Sequence, residues 1–191
     1  MEFRIRFFKV ILCAFLLSGC VKSMALKNYS DVSYYSTDGV VAGRSLTAIN
    51  EFVTEKIEII VYSDGIFAFR VNRIHEPGSM EIRLTQEQQQ GLKDALKKAL
   101  TWGETAKKEQ LNVSKKLYGF KDNPLAAYES LTVSFISGSN GKTWGSHLTF
   151  GLTEQFVLLE DQTLSLISYL ENVEEYSKKA TKTQEKMELL K

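Results

Sequence analysis

The chain is poor in the residues that most often carry chemistry. Among 191 residues it has two cysteines, two histidines, two prolines and two tryptophans. Two cysteines cannot build a disulfide framework or a four-thiolate zinc site. Two histidines argue against a multi-histidine metal centre. An excess of one charge is also missing: 24 basic against 23 acidic residues leave a net charge of +1. That balance gives no electrostatic footprint for nucleic acid and no acidic tail. With 43% hydrophobic residues, the chain is globular rather than disordered. Its length suits one domain, or one domain plus appendages.

What is present begins at the N-terminus. Arg4, Arg6 and Lys9 make a basic start, Val10 to Leu17 is an unbroken apolar run, and Ser18 and Gly19 lead into Cys20. A charged segment, an apolar segment and small residues, in that order, define a secretory signal peptide. The apolar run falls far short of the roughly 20 residues a helix needs to cross a bilayer.

The ending Leu17-Ser18-Gly19-Cys20 resembles the lipobox of bacterial lipoproteins. The resemblance implies that residues 1–19 are removed and that Cys20 becomes a lipidated first residue. It implies a membrane partner through that lipid, since several acyl chains anchor stably where one holds only marginally. In enteric lipoproteins an Asp after the cysteine signals retention at the inner membrane. Val21 stands there, which points to the outer membrane, facing the periplasm. Removal of 1–19 leaves 172 residues, with basic residues falling from 24 to 21 and acidic ones from 23 to 22. Cys13 leaves with the signal, so the mature chain has no disulfide to form.

Residues 20–50 are polar, with scattered tyrosines, and read as the lipidated cysteine and a tether whose later part docks. A single domain is expected over 51–176. Ile57, Ile59 and Val61 alternate, as do Phe67, Phe69 and Val71. A three-residue loop at 63–65 keeps all six on one face and places Gly65 at its left-handed position. Asn140-Gly141 marks a second hairpin, which pairs Phe135 with Ser146, Val133 with Leu148 and Leu131 with Phe150. Met80, Ile82 and Leu84 alternate as a further strand. Thr85 then caps a helix with Gln88 as its partner, and Leu92, Ala95, Leu96 and Ala99 form that helix's apolar stripe. Asp161 is expected to cap a second helix with the stripe Leu164, Ile167, Leu170 and Val173. Residues 177–191 read as a charged helical tail that frays.

These elements predict an α+β fold. The expected form is a two-layer sandwich, an antiparallel sheet of about five to seven strands with two main helices on one face. Strand–strand–strand–helix recurs in both halves, which suggests a βββα pseudo-repeat. The other face of the sheet would be wet, and Ile60, Tyr62, Arg70, Ser134, His147 and Thr149 are its candidate interaction residues.

No catalytic constellation emerges. Ser139-Asn140-Gly141-Lys142-Thr143 lacks the earlier glycine of a phosphate-binding loop, since Ile136 occupies that position, and a strand follows it rather than a helix. Gly145-Ser146-His147 lacks a nucleophile-elbow frame. His75 falls in a loop. Lys107, Lys108, Lys115, Lys116 and Lys121 form a locally basic segment suited to anionic headgroups or an acidic partner. No metal or other cofactor is implied. The reading is a non-enzymatic interaction or assembly module of the cell envelope with a protein partner. A glycan-acting enzyme or enzyme inhibitor, and a carrier of a small apolar ligand, are the alternatives.

Overall fold

The computed structural model describes residues 34–46, 51–73, 77–122 and 125–189. Cys20 with its lipobox, the first part of the expected tether, His75 and the turn at Asn123-Pro124 lie outside the described residues. The elements in order are β1 (Tyr34–Ser36), β2 (Val40–Leu46), β3 (Glu51–Tyr62), β4 (Phe67–Asn72), β5 (Ser79–Leu84) and α1 (Gln86–Glu109). Then come β6 (Val113–Phe120), β7 (Leu131–Gly138), β8 (Thr143–Phe150), β9 (Glu154–Leu158), α2 (Glu160–Glu171) and α3 (Val173–Glu188).

Both hairpins take the expected register. Val61 pairs with Phe67 and Ile59 with Phe69. The Tyr62 N–H donates to Ile66 O at 2.9 Å across the 63–65 loop. In the second hairpin Leu131 pairs with Phe150, Val133 with Leu148 and Phe135 with Ser146. α1 starts as its capping box requires: Thr85 Oγ1 accepts from the Gln88 N–H and the Gln88 side chain accepts from the Thr85 N–H. Leu92, Ala95, Leu96 and Ala99 are buried.

The strands form one antiparallel sheet in the order β5-β4-β3-β2-β9-β8-β7-β6, with β1 added to β3. Each half is a four-stranded meander followed by a helix, and the halves join where β2 meets β9. The expected two-layer sandwich of five to seven strands is therefore wrong: among the described residues the sheet curls into an eight-stranded half-barrel accompanied by three helices. One aromatic contact shows the curl. Four inter-strand steps separate β4 from β8, which would hold them about 19 Å apart in a flat sheet. Yet the rings of Phe69 and Phe150 meet edge to face with centroids 5.2 Å apart. Phe67 and Phe156 extend this cluster. Each such ring taken from water contributes about 1.5–3 kcal/mol. Leu92, Leu96, Leu166, Ile167 and Leu170 from the helices share the same core.

The segment expected to be tether contributes to the sheet from Tyr34 onward. β1 and β2 run along one side of β3 and are separated by a bulge. Ser36 pairs with Ile60 and Val40 with Ile57, so residues 37–39 oppose only 58–59. Gly39 has φ +70° there, and a Cβ on it would lie 2.3 Å from Ile57 O. Only glycine fits that position. The polar surroundings of Val40 and Ala42 hid this strand, although both are buried.

The C-terminal helix is docked as well. Tyr176 stacks on Tyr35 with centroids 5.5 Å apart, Ser177 Oγ donates to Ser63 O at 2.9 Å, and Ala180 is buried. The segment read as a charged helix fraying toward Lys191 is helical to Glu188 and packs along one side. In α2 the N-cap is Leu159 rather than Asp161, with the Gln162 side chain accepting from the Leu159 N–H. Leu164 is half exposed and Leu166 takes its place inside. Thr163 is on the inner stripe too, its hydroxyl 3.2 Å from Ser146 Oγ, and a polar residue does not show in an apolar periodicity.

Candidate interaction surfaces

Residues 58, 60 and 62 of β3 alternate with the core residues Ile57, Ile59 and Val61, and so belong to the outer face of the sheet. At one end of that face the strands β1, β3, β4 and β5 assemble a charged and aromatic network. The Tyr62 hydroxyl donates to Glu81 Oε1 at 2.7 Å and accepts from Arg83 at 3.2 Å. Arg70 bonds Glu81 at 3.0 Å and Glu58 at 3.4 Å, and Ser36 donates to Glu58 at 2.6 Å. The Arg70 guanidinium lies over Tyr34, and that of Arg83 over Tyr62. Burial opposes ionisation of Glu81, but the hydrogen bonds from Tyr62 and Arg70 and the charge and hydrogen bond of Arg83 outweigh it and hold the carboxyl below its ordinary range. Burial, reinforced by the bond to Glu81, raises the Tyr62 phenol. The network is locally closed, since each charged group in it has opposite partners.

This closure changes the list of candidate contact residues. Ile60 is fully buried and Tyr62 nearly so, at 0% and 3% exposure. Neither offers a contact surface, and Tyr62 is covered by its bonds to Glu81 and Arg83, by the Arg83 guanidinium over its ring and by the edge of Tyr34. Arg70 remains partly exposed.

The other three residues do sit together. Ser134 faces His147 directly across β7 and β8, and Thr149 pairs with Thr132 and Gln155. All are partly exposed. Burial lowers the His147 pKa, and a hydrogen bond with Gln155 offsets this in part. The burial favours the neutral imidazole of His147, which lies on a hydroxyl- and amide-bearing surface. Hydroxyl neighbours do not make a nucleophile, and the side chain of Ser146 points the other way, into the core with Thr163.

The basic segment is not one patch. Lys116 is neutralised by Glu129, which contacts it through both oxygens at 2.6 Å and also accepts from Thr132. Lys121 donates to Ala126 O at 2.7 Å, and Lys108 lies 3.7 Å from Glu109. Lys107 ends α1. Lys115 turns to the face opposite Lys116, where it lies over Trp102, 5.3 Å from the ring centroid. Trp102 in turn meets Phe135 edge to face at 5.8 Å. Trp144 packs on the other side of Phe135, against Gly103 of α1, where a Cβ would lie 2.2 Å from the indole.

Inside the sheet, Arg44 of β2 is buried with Glu154 of β9 and Glu55 of β3, and it also donates to Asn72 O at 2.6 Å. Its guanidinium rests over Phe156, and its Nε has no hydrogen-bond partner. Sequence reading missed this cluster, because a lone Arg in a polar segment carries no pattern. A cleft of about 300 Å³ reaches Glu154, lined also by Arg73, Met80 and Tyr128. A larger one of about 650 Å³ lies between the 63–65 loop, α1 and the α2–α3 junction, with Gln86, Gln90 and Lys93 on its wall. Among the described residues no group of three or more His, Cys, Asp or Glu side chains is placed to hold a metal ion. Likewise, none of their helices is long and apolar enough to cross a membrane.

No family model matches the chain, and no curated protein matches it. Among solved structures it is similar to the plant transcriptional regulator PBF-2, at 12% identity and a TM-score of 0.30, over 75% of this chain and 89% of that one. It is similar also to WHY3 from Arabidopsis thaliana, at 9% identity and a TM-score of 0.26, over 84% and 90% respectively. Likeness at that level carries no conclusion about this protein.

Proposed function

We propose that the chain is a lipid-anchored protein of the bacterial envelope, held at the outer membrane through Cys20, and that it acts there as a non-enzymatic interaction module. The anchor is supported by the basic, apolar and small-residue order that ends at Leu17-Ser18-Gly19-Cys20. The observation that carries the module reading is the placement of the helices. Their buried stripes share the core on the inner side of the sheet, which leaves Thr132, Ser134, His147, Thr149 and Gln155 partly exposed on the outer side. A broad sheet face of neutral polar groups suits recognition of a protein surface better than bond-breaking chemistry, which needs an activated nucleophile or a matched acid and base. A ligand carried between sheet and helices would have to displace Phe67, Phe69, Phe150 and Phe156, which fill that space.

Photo-crosslinking side chains placed at Thr132 and Thr149 test the surface in intact envelopes. The proposal expects a discrete adduct of one envelope protein from both positions, and none from exposed Thr101 of α1. Adducts from Thr101 alone, or activity of the purified mature chain in a cell-wall zymogram, would overturn it.

A further inference from the structure

Trp102 of α1 is flanked by two lysines. Lys98 Nζ lies 5.1 Å from the centre of its ring and Lys115 Nζ 5.3 Å. Most other lysines near this surface are spent on acids: Lys97 on Glu171, Lys108 on Glu109, Lys116 on Glu129. Lys98 and Lys115 have no carboxylate within salt-bridge distance among the described residues. Trp102 is itself only partly buried, fixed edge-on by Phe135. The surface thus presents an indole with two uncompensated ammonium groups, drawn from a helix and the edge strand β6 beside it.

We infer that this surface docks onto anionic phospholipid headgroups. The two surfaces are chemically complementary. Tryptophan's amphipathic ring settles at the headgroup level of bilayers, and lysines near the surface are attracted to anionic lipid over about a Debye length. A lysine stem covers apolar surface while its ammonium group reaches outward, so both cations can leave the indole for lipid phosphates without unfolding anything. The inference rests on the envelope reading, because a lipid anchor would hold the domain within reach of the bilayer. It adds that the α1–β6 edge turns toward the membrane. The outer sheet face then stays free for a protein partner.

The test uses the mature chain from residue 21, which lacks the lipid and keeps the whole compact unit Val32–Lys191. Vesicles of phosphatidylglycerol with phosphatidylethanolamine are compared with vesicles of phosphatidylcholine. The expected result is binding to the anionic vesicles only, weakened at least tenfold by K98E/K115E and by 0.5 M salt. Brominated phosphatidylglycerol should quench Trp102 fluorescence, read in a W144F background. K98A/K115A, which leaves the indole's packing in place, should give the same direction with an unchanged circular dichroism spectrum. Equal binding to both vesicle types, binding to dextran sulfate as strong as to vesicles, or binding unaffected by the lysine changes would each overturn the inference. Cys20-dependent lipid labelling in cells, together with absent vesicle binding, overturns this surface and leaves the anchor standing.

Discussion

Arg44 and Glu154, 110 residues apart in the chain, form a buried ion pair where the two halves of the sheet meet. Their side chains are 3% and 4% exposed. A charge taken from water at such a site is stabilising only while it stays paired. Replacing Arg44 with Met strands the Glu154 carboxylate and should lower stability by about 3–5 kcal/mol. Glu55, at 22% exposure, keeps some contact with water and suffers less. Urea unfolding measures the loss. The double variant Arg44→Met, Glu154→Met should recover most of it, since no charge then stays buried. A double variant as unstable as the single would show that the pair does not act as a unit.

The bulge between β1 and β2 makes a second prediction. A side chain at residue 39 would meet the Ile57 carbonyl, which is backbone and cannot swing aside. Gly39→Ala should therefore cost about 1–3 kcal/mol through strain at a positive φ. The Tyr35–Tyr176 contact would loosen with it, because β1 positions Tyr35. Hydrogen exchange of α3 amides is the readout, and faster exchange is expected there than in α1.

Gly103 reverses an ordinary rule. Replacing a helix-interior glycine with alanine normally gains about 1 kcal/mol. Here the added methyl would fall 2.2 Å from Trp144, so Gly103→Ala should destabilise by about 1–3 kcal/mol through overpacking. In a Trp144→Leu background the same change should return to neutral or stabilising. Thermal melts of the four proteins settle the sign.

His147 and Glu81 set two successive stages on the acid side of a pH profile by the same logic. Burial depresses the folded pKa of His147 below its ordinary 6.5. The unfolded state then binds the proton more readily, so this contribution to stability is full above about pH 6.5 and is lost as pH falls through the folded value. Glu81 is also depressed, relative to 4.5. Its contribution is full above that value and is lost as pH falls further. Stability should therefore decline in two stages on acidification. His147→Gln should remove the first stage only, as followed by NMR titration of the imidazole and by unfolding at successive pH values.

Much of the sheet was legible because its strongest signals are local. The 63–65 loop and Asn140-Gly141 each set a register by turn chemistry, and Thr85 with Gln88 fixed a helix start. What escaped notice depends on distant partners. Residues 34–46 alternate too weakly to declare a strand, and they become one only because β3 on one side and β9 on the other supply hydrogen bonds. The curl follows from Phe69 meeting Phe150 across the sheet, a contact no periodicity encodes. α3 reads as solvated because its charged pairs Glu174–Lys178 and Glu175–Lys179 are real, yet Tyr176 and Ala180 on the other side are what dock it. Of the candidate contact residues, Ser134, His147 and Thr149 were found by alternation. Ile60 and Tyr62 share that alternation and are nevertheless covered.

The central claim is that this domain is held at a membrane by lipid on Cys20. Cells grown with labelled palmitate, and expressing either the natural chain or Cys20→Ala, test it most directly. A labelled band in the membrane fraction is expected for the natural chain, and an unlabelled protein absent from that fraction for Cys20→Ala. Labelling that survives the substitution, or a natural chain that carries no label, would contradict it.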